Sequence, residues 1–288
     1  MKAAWSLLVF LGSLALSPAA TTIDSDHPFA YGANLGWIDW RGDTNQGAVI
    51  GEYVCAGYLY AANVGWIHLG NGSPTNGIRY QQLTATDCGV NHDGLGNLRG
   101  YAWGANIGWI AFEATGAPTV DLASGRMSGY AYSANLGWIS LSNAVAWVQT
   151  DVIAPGTDSD HNGLADAWEW LHFARLGVDP NDDPDLDGLS NSEEYLAGTN
   201  PTDGADNLRV TACTADPAKS RVSLTWRSQP TRQYRILRTD NLKAPVSWSD
   251  VGLGVVLPDP GPSTSRSFPG TGSGNVFYRI EAFRMLSR

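Results

Sequence analysis

Hydrophobic and polar positions in this chain alternate in short runs over most of its length and seldom keep helical spacing. Four runs are near copies: FAYGANLGWIDW at 29–40, GYLYAANVGWIHL at 57–69, GYAWGANIGWIAF at 100–112 and GYAYSANLGWISL at 129–141. Aligned, they read aromatic, Ala or Leu, aromatic, a small residue, then Ala-Asn-x-Gly-Trp-Ile, a variable residue and an apolar one. This predicts a short strand, a tight Asn/Gly turn and a second strand, because Asn tolerates left-handed backbone and Gly takes positive φ freely. A third strand per unit is expected, most clearly TVDL at 119–122. The repeated Trp fall at 37, 66, 109 and 138, at intervals of 29, 43 and 29, so the array is two pairs with a segment from about Gly70 to Val90 inserted between them. Units of this size cannot bury a face alone and are expected to stack as a small barrel, prism or propeller-like array. Recurrence in one frame reads Trp37, Trp66, Trp109 and Trp138 as a repeated core. Trp40 and Trp103, whose counterparts differ between units, are the candidate ligand surface.

Beyond Asn207 the runs NLRVTAC, RVSLTW, QYRILRT, SWSDVG, SRSFPG and NVFYRIEAF are β-rich and separated by Pro, Gly and Ser, the pattern of a β-sandwich. Between the two β regions lie two short helical signals, AWEWLHFARLG with Trp168, Leu171, His172 and Leu176 on one face and a stop at Gly177, and SEEYLAG ending at Gly198. The N-terminus, MKAAWSLLVFLGSLALSPAA, has a basic start, an apolar run and a small-residue exit; it reads as a secretory signal peptide cut near Ala19 or Ala20. The expected fold class is mainly β. Its parts are a leader (1–20), a four-unit β-repeat domain (21–150), a short α-helical loop–helix pair (151–206) and a C-terminal β-sandwich (207–288).

Charge singles out the middle part. Residues 151–206 hold 14 of the chain's 28 acidic side chains against one basic residue, Arg175. So much like charge repels itself open unless something neutralises it. DSDHNGLADAWE, 158–169, places Asp158, Asp160 and Asn162 at loop positions 1, 3 and 5, Gly163 at 6, the Leu164 carbonyl at 7, Asp166 at 9 and Glu169 at 12. DPDLDGLSNSEE, 183–194, repeats this with Asp183, Asp185, Asp187, Gly188, Leu189, Asn191 and Glu194. Each loop can supply the six to eight oxygens that a hard cation takes, so two Ca²⁺ sites are expected. Pro155 and Gly156 precede the first loop, which makes these loop–helix units and not full helix–loop–helix hands.

The tandem loops, with the closing GTNPTD at 198–203, resemble the thrombospondin type 3-like calcium repeats of secreted bacterial proteins. They also look like a dockerin, except that Glu stands at place 12 of both loops where dockerins usually carry Asp. LTW at 224–226, YRI at 234–236 and FYRIEA at 277–282 resemble a fibronectin type III-like domain. The four repeats are similar to the GYAW-x-x-N-x-GWI repeats of secreted bacterial proteins, a resemblance that implies export and brings no ligand with it.

Of the three cysteines, Cys55 and Cys88 bracket the longest non-repeat segment and are expected to bridge, which in the chain-entropy account contributes about 3.5 kcal/mol. Cys213 reads as a small buried strand residue. Arg227, Arg232, Arg235, Arg238 and Arg279 read as a solvated charged face of the sandwich. The five His are scattered, and no nucleophile elbow, phosphate loop or zinc motif is present. The acidic balance and the lack of a recognition motif argue against nucleic acid. No mature segment reads as a membrane span. The expected protein is a secreted, calcium-stabilised, non-catalytic extracellular binding, adhesion or structural protein. Its partner would be an extracellular polysaccharide or a cell-surface protein. The alternatives are a glycan-binding accessory module, with exposure of the repeated Trp as its criterion, and a dockerin-like assembly module.

Overall fold

The computed structural model describes residues 21–287 apart from 43–44, 217, 219 and 271–274. The leader segment lies outside the described residues. The described chain is mainly β, as the alternation predicts.

Each repeat is a hairpin: β1 (Ile23–Gly32) with β2 (Gly36–Asp39), β4 (Cys55–Ala61) with β5 (Gly65–Asn71), β7 (Leu98–Gly104) with β8 (Gly108–Phe112), and β11 (Tyr130–Ser133) with β12 (Gly137–Ser140). Each outgoing strand pairs with the next incoming one, through Asp39↔Tyr60, His68↔Trp103 and Ala111↔Tyr132, and Ser140↔Tyr31 closes the ring. The result is an eight-stranded antiparallel barrel. Short strands β3 (Val49–Ile50), β6 (Val90–His92) and β13 (Val148–Thr150) extend it at β4, β7 and β1. A separate ribbon is formed by β9 (Thr119–Val120) and β10 (Met127–Ser128).

The repeated words explain the closure. Leu35, Val64, Ile107 and Leu136 donate backbone bonds to Gly32, Ala61, Gly104 and Ser133 at 3.1, 3.1, 3.1 and 3.3 Å. Gly36, Gly65, Gly108 and Gly137 follow at φ of 85, 83, 75 and 82°, the left-handed step that ends a three-residue hairpin loop. Each Asn then reaches sideways. Asn34 Nδ2 donates to the Leu136 carbonyl, Asn63 to Leu35, Asn106 to Val64 and Asn135 to Ile107, all at 2.9–3.0 Å. Four side chains thus tie four turns into a closed ring.

Side chains alternate across the barrel wall. Ile38, Ile67, Ile110 and Ile139 point inward opposite Ala30, Leu59, Ala102 and Ala131, and two residues further on Trp40, Leu69, Phe112 and Leu141 fill the next level. Trp40 meets Phe112 at 6.4 Å between ring centroids. An eight-stranded barrel is just wide enough for side chains to fill it, and these do. Trp40 is therefore a core residue, 1% exposed, and not a ligand surface. The repeated Trp lie one position from Ile, so they face outward: Trp37, Trp66, Trp109 and Trp138 are 47, 45, 43 and 48% exposed. The expectation of a repeated Trp core fails on this parity.

Cys55 and Cys88 are both free. The Cys55 side chain belongs to the barrel core, where burial pushes its thiol up to about 12. The Tyr80 ring lies hard against Gly89, beside Cys88, with its hydroxyl donating to the Cys55 carbonyl at 3.1 Å. Bracketing an insertion does not turn two thiols toward each other.

Helix α1 (Asp166–Phe173) ends at Ala174 in left-handed geometry, short of the expected Gly177, and leaves Leu171 and Leu176 exposed. Trp168 packs instead with Leu164, Ala165, Val178 and Tyr195. Helix α2 (Asn191–Ala197) has a Ser190/Glu193 capping box and the expected Gly198 stop, at φ 74°.

The C-terminal part is a sandwich of two three-stranded sheets. One joins β14 (Val210–Ala215), β15 (Arg221–Arg227) and β18 (Ser263–Pro269); the other joins β17 (Ser249–Asp250), β16 (Arg232–Thr239) and β19 (Phe277–Arg284). Val222, Leu224, Trp226, Tyr234, Ile236 and Phe268 fill its core. Cys213 stands exposed on β14, contrary to expectation, on an edge strand whose residues are all exposed. Arg232 leaves the expected solvated face: it is 4% exposed and pairs with Glu52 of the barrel.

Truncation should separate the two Trp classes. Trp40→Ala is expected to cost about 3–5 kcal/mol in denaturant unfolding of the barrel, and Trp37→Ala under about 1 kcal/mol. Asn106→Ala, which opens one ring bond, is expected to cost about 1 kcal/mol. Equal losses at Trp37 and Trp40 would contradict the inside–outside assignment.

Candidate functional site

The leading halves of the two acidic loops fold alike. Asn162 N donates to Asp158 Oδ1 and Asp160 Oδ1 at 3.2 and 3.2 Å; Asp187 N donates to Asp183 and Asp185 at the same distances. Gly163 N and Gly188 N each meet the first Asp at 3.0 Å. Position 4 is left-handed in both, His161 at φ 60° and Leu186 at 62°, and the position-6 glycines stand at 92 and 98°. Backbone N–H groups thus hold the leading carboxylates facing into each loop.

The second loop gathers an all-oxygen cluster. Asp183, Asp185 and Asp187 each offer an oxygen, and these lie within 4.8 Å of one another. Asp185 Oδ2, Asp187 Oδ2, Asn191 Oδ1 and Glu194 Oε2 are buried without a hydrogen-bond partner. Four orphaned buried acceptors on one loop are costly unless a cation satisfies them. Burial, reinforced by Asp185 and Asp187, pushes the Glu194 carboxyl up to about 8. Burial also raises Asp185, with Asp187 and Asp183 adding to it. The donor set, carboxylate and amide oxygens without sulfur or imidazole, fits a hard divalent cation.

The first loop is less complete in acid. Asn162 turns its amide nitrogen to Glu169 Oε1 at 3.1 Å and to the Val178 carbonyl at 3.0 Å, while Glu169 Oε2 is buried and unpartnered. Asp166 is turned away, accepting from Ser159 N at 2.7 Å, so it fixes the loop more than it faces the centre. Leu164 sends its side chain into the core beneath the loop.

A second assembly lies on the outside of the barrel. Each unit packs its outward Trp edge-on or tilted against two other rings: Trp37 against Phe29 and Tyr31, Trp66 against Tyr58 and Tyr60, Trp109 against Tyr101 and Trp103, and Trp138 against Tyr130 and Tyr132. Trp103, expected at a ligand surface, is here, 42% exposed. The variable residue after Ile sits across the strand pair from the next unit's outer ring: Asp39 beside Tyr60, His68 beside Trp103, Ala111 beside Tyr132, Ser140 beside Tyr31. The small Ala111 leaves a cleft of about 210 Å³, bounded by Glu113, Tyr130, Tyr132 and Trp138. Period-two alternation from Ile was the signal for this belt, since Ile inward puts Trp outward.

The three parts meet at Glu52. Its carboxylate lies 3.3 Å from Arg232 Nη1 and 3.6 Å from Arg284 Nη1. Arg232 also donates to the Leu196 and Tyr195 carbonyls at 2.8 and 3.0 Å, closing the C-terminus of α2. This junction has no signal in the sequence. No protein family, curated protein or solved structure matches this chain.

The raised Glu194 carboxyl gives a signed prediction. Without cation, its stabilising contribution is full below its ordinary value and is lost as pH rises through about 8. Glu194→Gln is therefore expected to raise the melting temperature of chelator-treated protein at pH 8. In calorimetric titration with calcium, the cation expected from the loop spacing, the same change should remove one of two binding events and Glu169→Gln the other. A wild-type isotherm retained by both variants would contradict the site.

Proposed function

We propose that this protein is a calcium-stabilised, non-catalytic binding protein that works outside the cell and takes a neutral polysaccharide on its barrel. The observation that carries this reading is the fourfold belt of exposed three-ring aromatic clusters on an otherwise packed barrel. Pyranose rings present apolar C–H faces that stack on uncharged aromatic rings, while tyrosine hydroxyls and nearby polar groups orient their hydroxyls. Four similar faces suit a ligand that itself repeats. The cleft at Ala111 lies within this belt, with the Glu113 carboxylate at its rim accepting from Tyr101 Oη at 3.3 Å.

Several of the barrel's carboxylates are engaged away from the aromatic belt. Asp87 accepts backbone bonds from Thr75 and Gln81 across the inserted segment, and Asp93 and Asp121 accept them from their own turns. Glu52 is held by two arginines. Calcium in this reading is structural: extracellular modules bind it at roughly 10⁻⁴–10⁻³ M, so the acidic centre folds after export. The leader reading of residues 1–20 supports the same compartment.

Pull-down on a panel of insoluble neutral polysaccharides, followed by titration with soluble oligosaccharides, tests this. Trp138→Ala and Tyr132→Ala are each expected to weaken binding by about 1 kcal/mol, roughly fivefold, with the melting temperature almost unchanged. Ala111→Phe, which fills the cleft, should do the same. Retention by no polysaccharide of the panel, or binding indifferent to all three changes, would refute the ligand class.

A further inference from the structure

Strand β19 lies at the outside of its sheet. Tyr234 exchanges both backbone bonds with Val256, at 2.8 and 2.8 Å, and the Ile236 carbonyl accepts from Val251 at 3.0 Å. Alternate residues of β16 therefore face away from β19. The bonds between the two strands run through the other pairs, Gln233/Phe283, Arg235/Glu281, Leu237/Arg279 and Thr239/Phe277. The N–H and C=O groups of Tyr278, Ile280 and Ala282 point out of the sheet, and among the described residues no other backbone pairs with them. On the core side of this edge, Tyr278, Ile280 and Ala282 are only partly buried. They border an opening of about 480 Å³ whose far wall includes Leu196, Leu208 and Val210.

Residues 277–283 read Phe-Tyr-Arg-Ile-Glu-Ala-Phe, a string that is complementary to its own reverse about Ile280. We propose that β19 pairs antiparallel with β19 of a second copy, across a two-fold axis at Ile280, joining two three-stranded sheets into one. In this register Ile280 meets Ile280 and Tyr278 meets Ala282, the residues whose backbone groups point outward. On the outer face Arg279 meets Glu281 and Phe277 meets Phe283, each twice by symmetry. Opposite charges and aromatic pairs directly across a ladder favour pairing, and a two-fold interface must be complementary to itself. The inward Tyr278 and Ala282 of the partner strand enter the opening. The free edge of β14 offers nothing equivalent: Val210–Ala215 is VTACTA, without a charge. Charges on an exposed edge ordinarily discourage pairing, as do proline and bulges; here the opposite charges stand at offsets that match across the two-fold, so they favour this one partner.

Sedimentation equilibrium of the full chain in calcium and reductant, which excludes a Cys213 disulfide, is expected to show a dimer. Arg279→Glu places like charges opposite each other twice, and so does Glu281→Arg. Each should weaken dimerisation about tenfold or more. The double variant R279E/E281R restores the pairs and should restore the dimer. Arg279 also stacks over Trp248 at 4.7 Å. That contact is lost in R279E and in the double variant alike, so recovery reports the cross-strand pair. Ala282→Pro, which deletes a donor on the free edge where proline is tolerated, should give monomer with unchanged circular dichroism. A monomeric wild type, or a dimer that persists in R279E and Ala282→Pro, would overturn the proposal. So would a double variant as monomeric as its parents.

Discussion

The barrel depends on its ring of asparagines. The Asn34 amide spans 102 residues to reach Leu136, and the other three span 28, 42 and 28 to the unit before. Each bond satisfies a turn carbonyl that hairpin formation leaves free. Together they set the four hairpins at one height, so the four Ile share a level and the four residues beyond them share the next. The small residue before Ala-Asn is dictated by the same closure. A Cβ on Gly32 would lie 3.1 Å from Leu35, and one on Gly104 only 2.6 Å from Ile107, because the apolar residue of each turn folds down to plug the barrel end. The longer interval between the second and third units is absorbed away from the turns, in the segment that Tyr80, Asp87 and Asn91 pin through backbone bonds.

Local chemistry made the β class, the four hairpins, both acidic loops and the α2 stop legible, since each is written in a few adjacent residues. Orientation was harder. Recurrence marks Trp109 as required by the unit, yet it does not say on which side of the wall it is required. Only one of two neighbours can face inward in a strand, and Ile110 holds that place. The same rule carries Trp40 inside, two positions from Ile38, even though its counterparts Leu69, Phe112 and Leu141 differ in kind. Variation among core residues of similar character reads as surface variation when the faces are not separated. The Cys55–Cys88 expectation erred for the same reason: spacing along the chain carries no side-chain direction.

Charge was legible as a pattern and not as a set of pairs. The acidic middle segment is met on one side by arginines from the basic C-terminal part. Arg232 and Arg284 share Glu52, Arg227 reaches the Ala205 carbonyl and Asn207, and Arg284 also meets Tyr195 Oη at 2.8 Å. None of these arginines enters the second loop, whose orphaned oxygens are the residual charge that the protein itself leaves unneutralised. Removing one partner from a buried pair such as Arg232–Glu52 leaves a bare charge, so this junction favours a single relative placement of barrel, loops and sandwich.

That rigidity bears on what binding can achieve. A single stacked sugar contributes little, and four faces on one barrel raise the effective concentration of a repeating ligand only if their spacing is fixed. The asparagine ring fixes it within a barrel. Pairing through β19 would double the number of faces, and the Glu52 junction would carry the fixed spacing from sandwich to barrel in each copy. Orphaned oxygens beside α2 then matter at a distance, because α2 presents the Tyr195 and Leu196 carbonyls to Arg232. A cation that orders the Glu194 loop holds that helix end in place. If both proposals hold, occupancy of the acidic loop would govern, through this chain of contacts, how many aromatic faces act on one ligand at once.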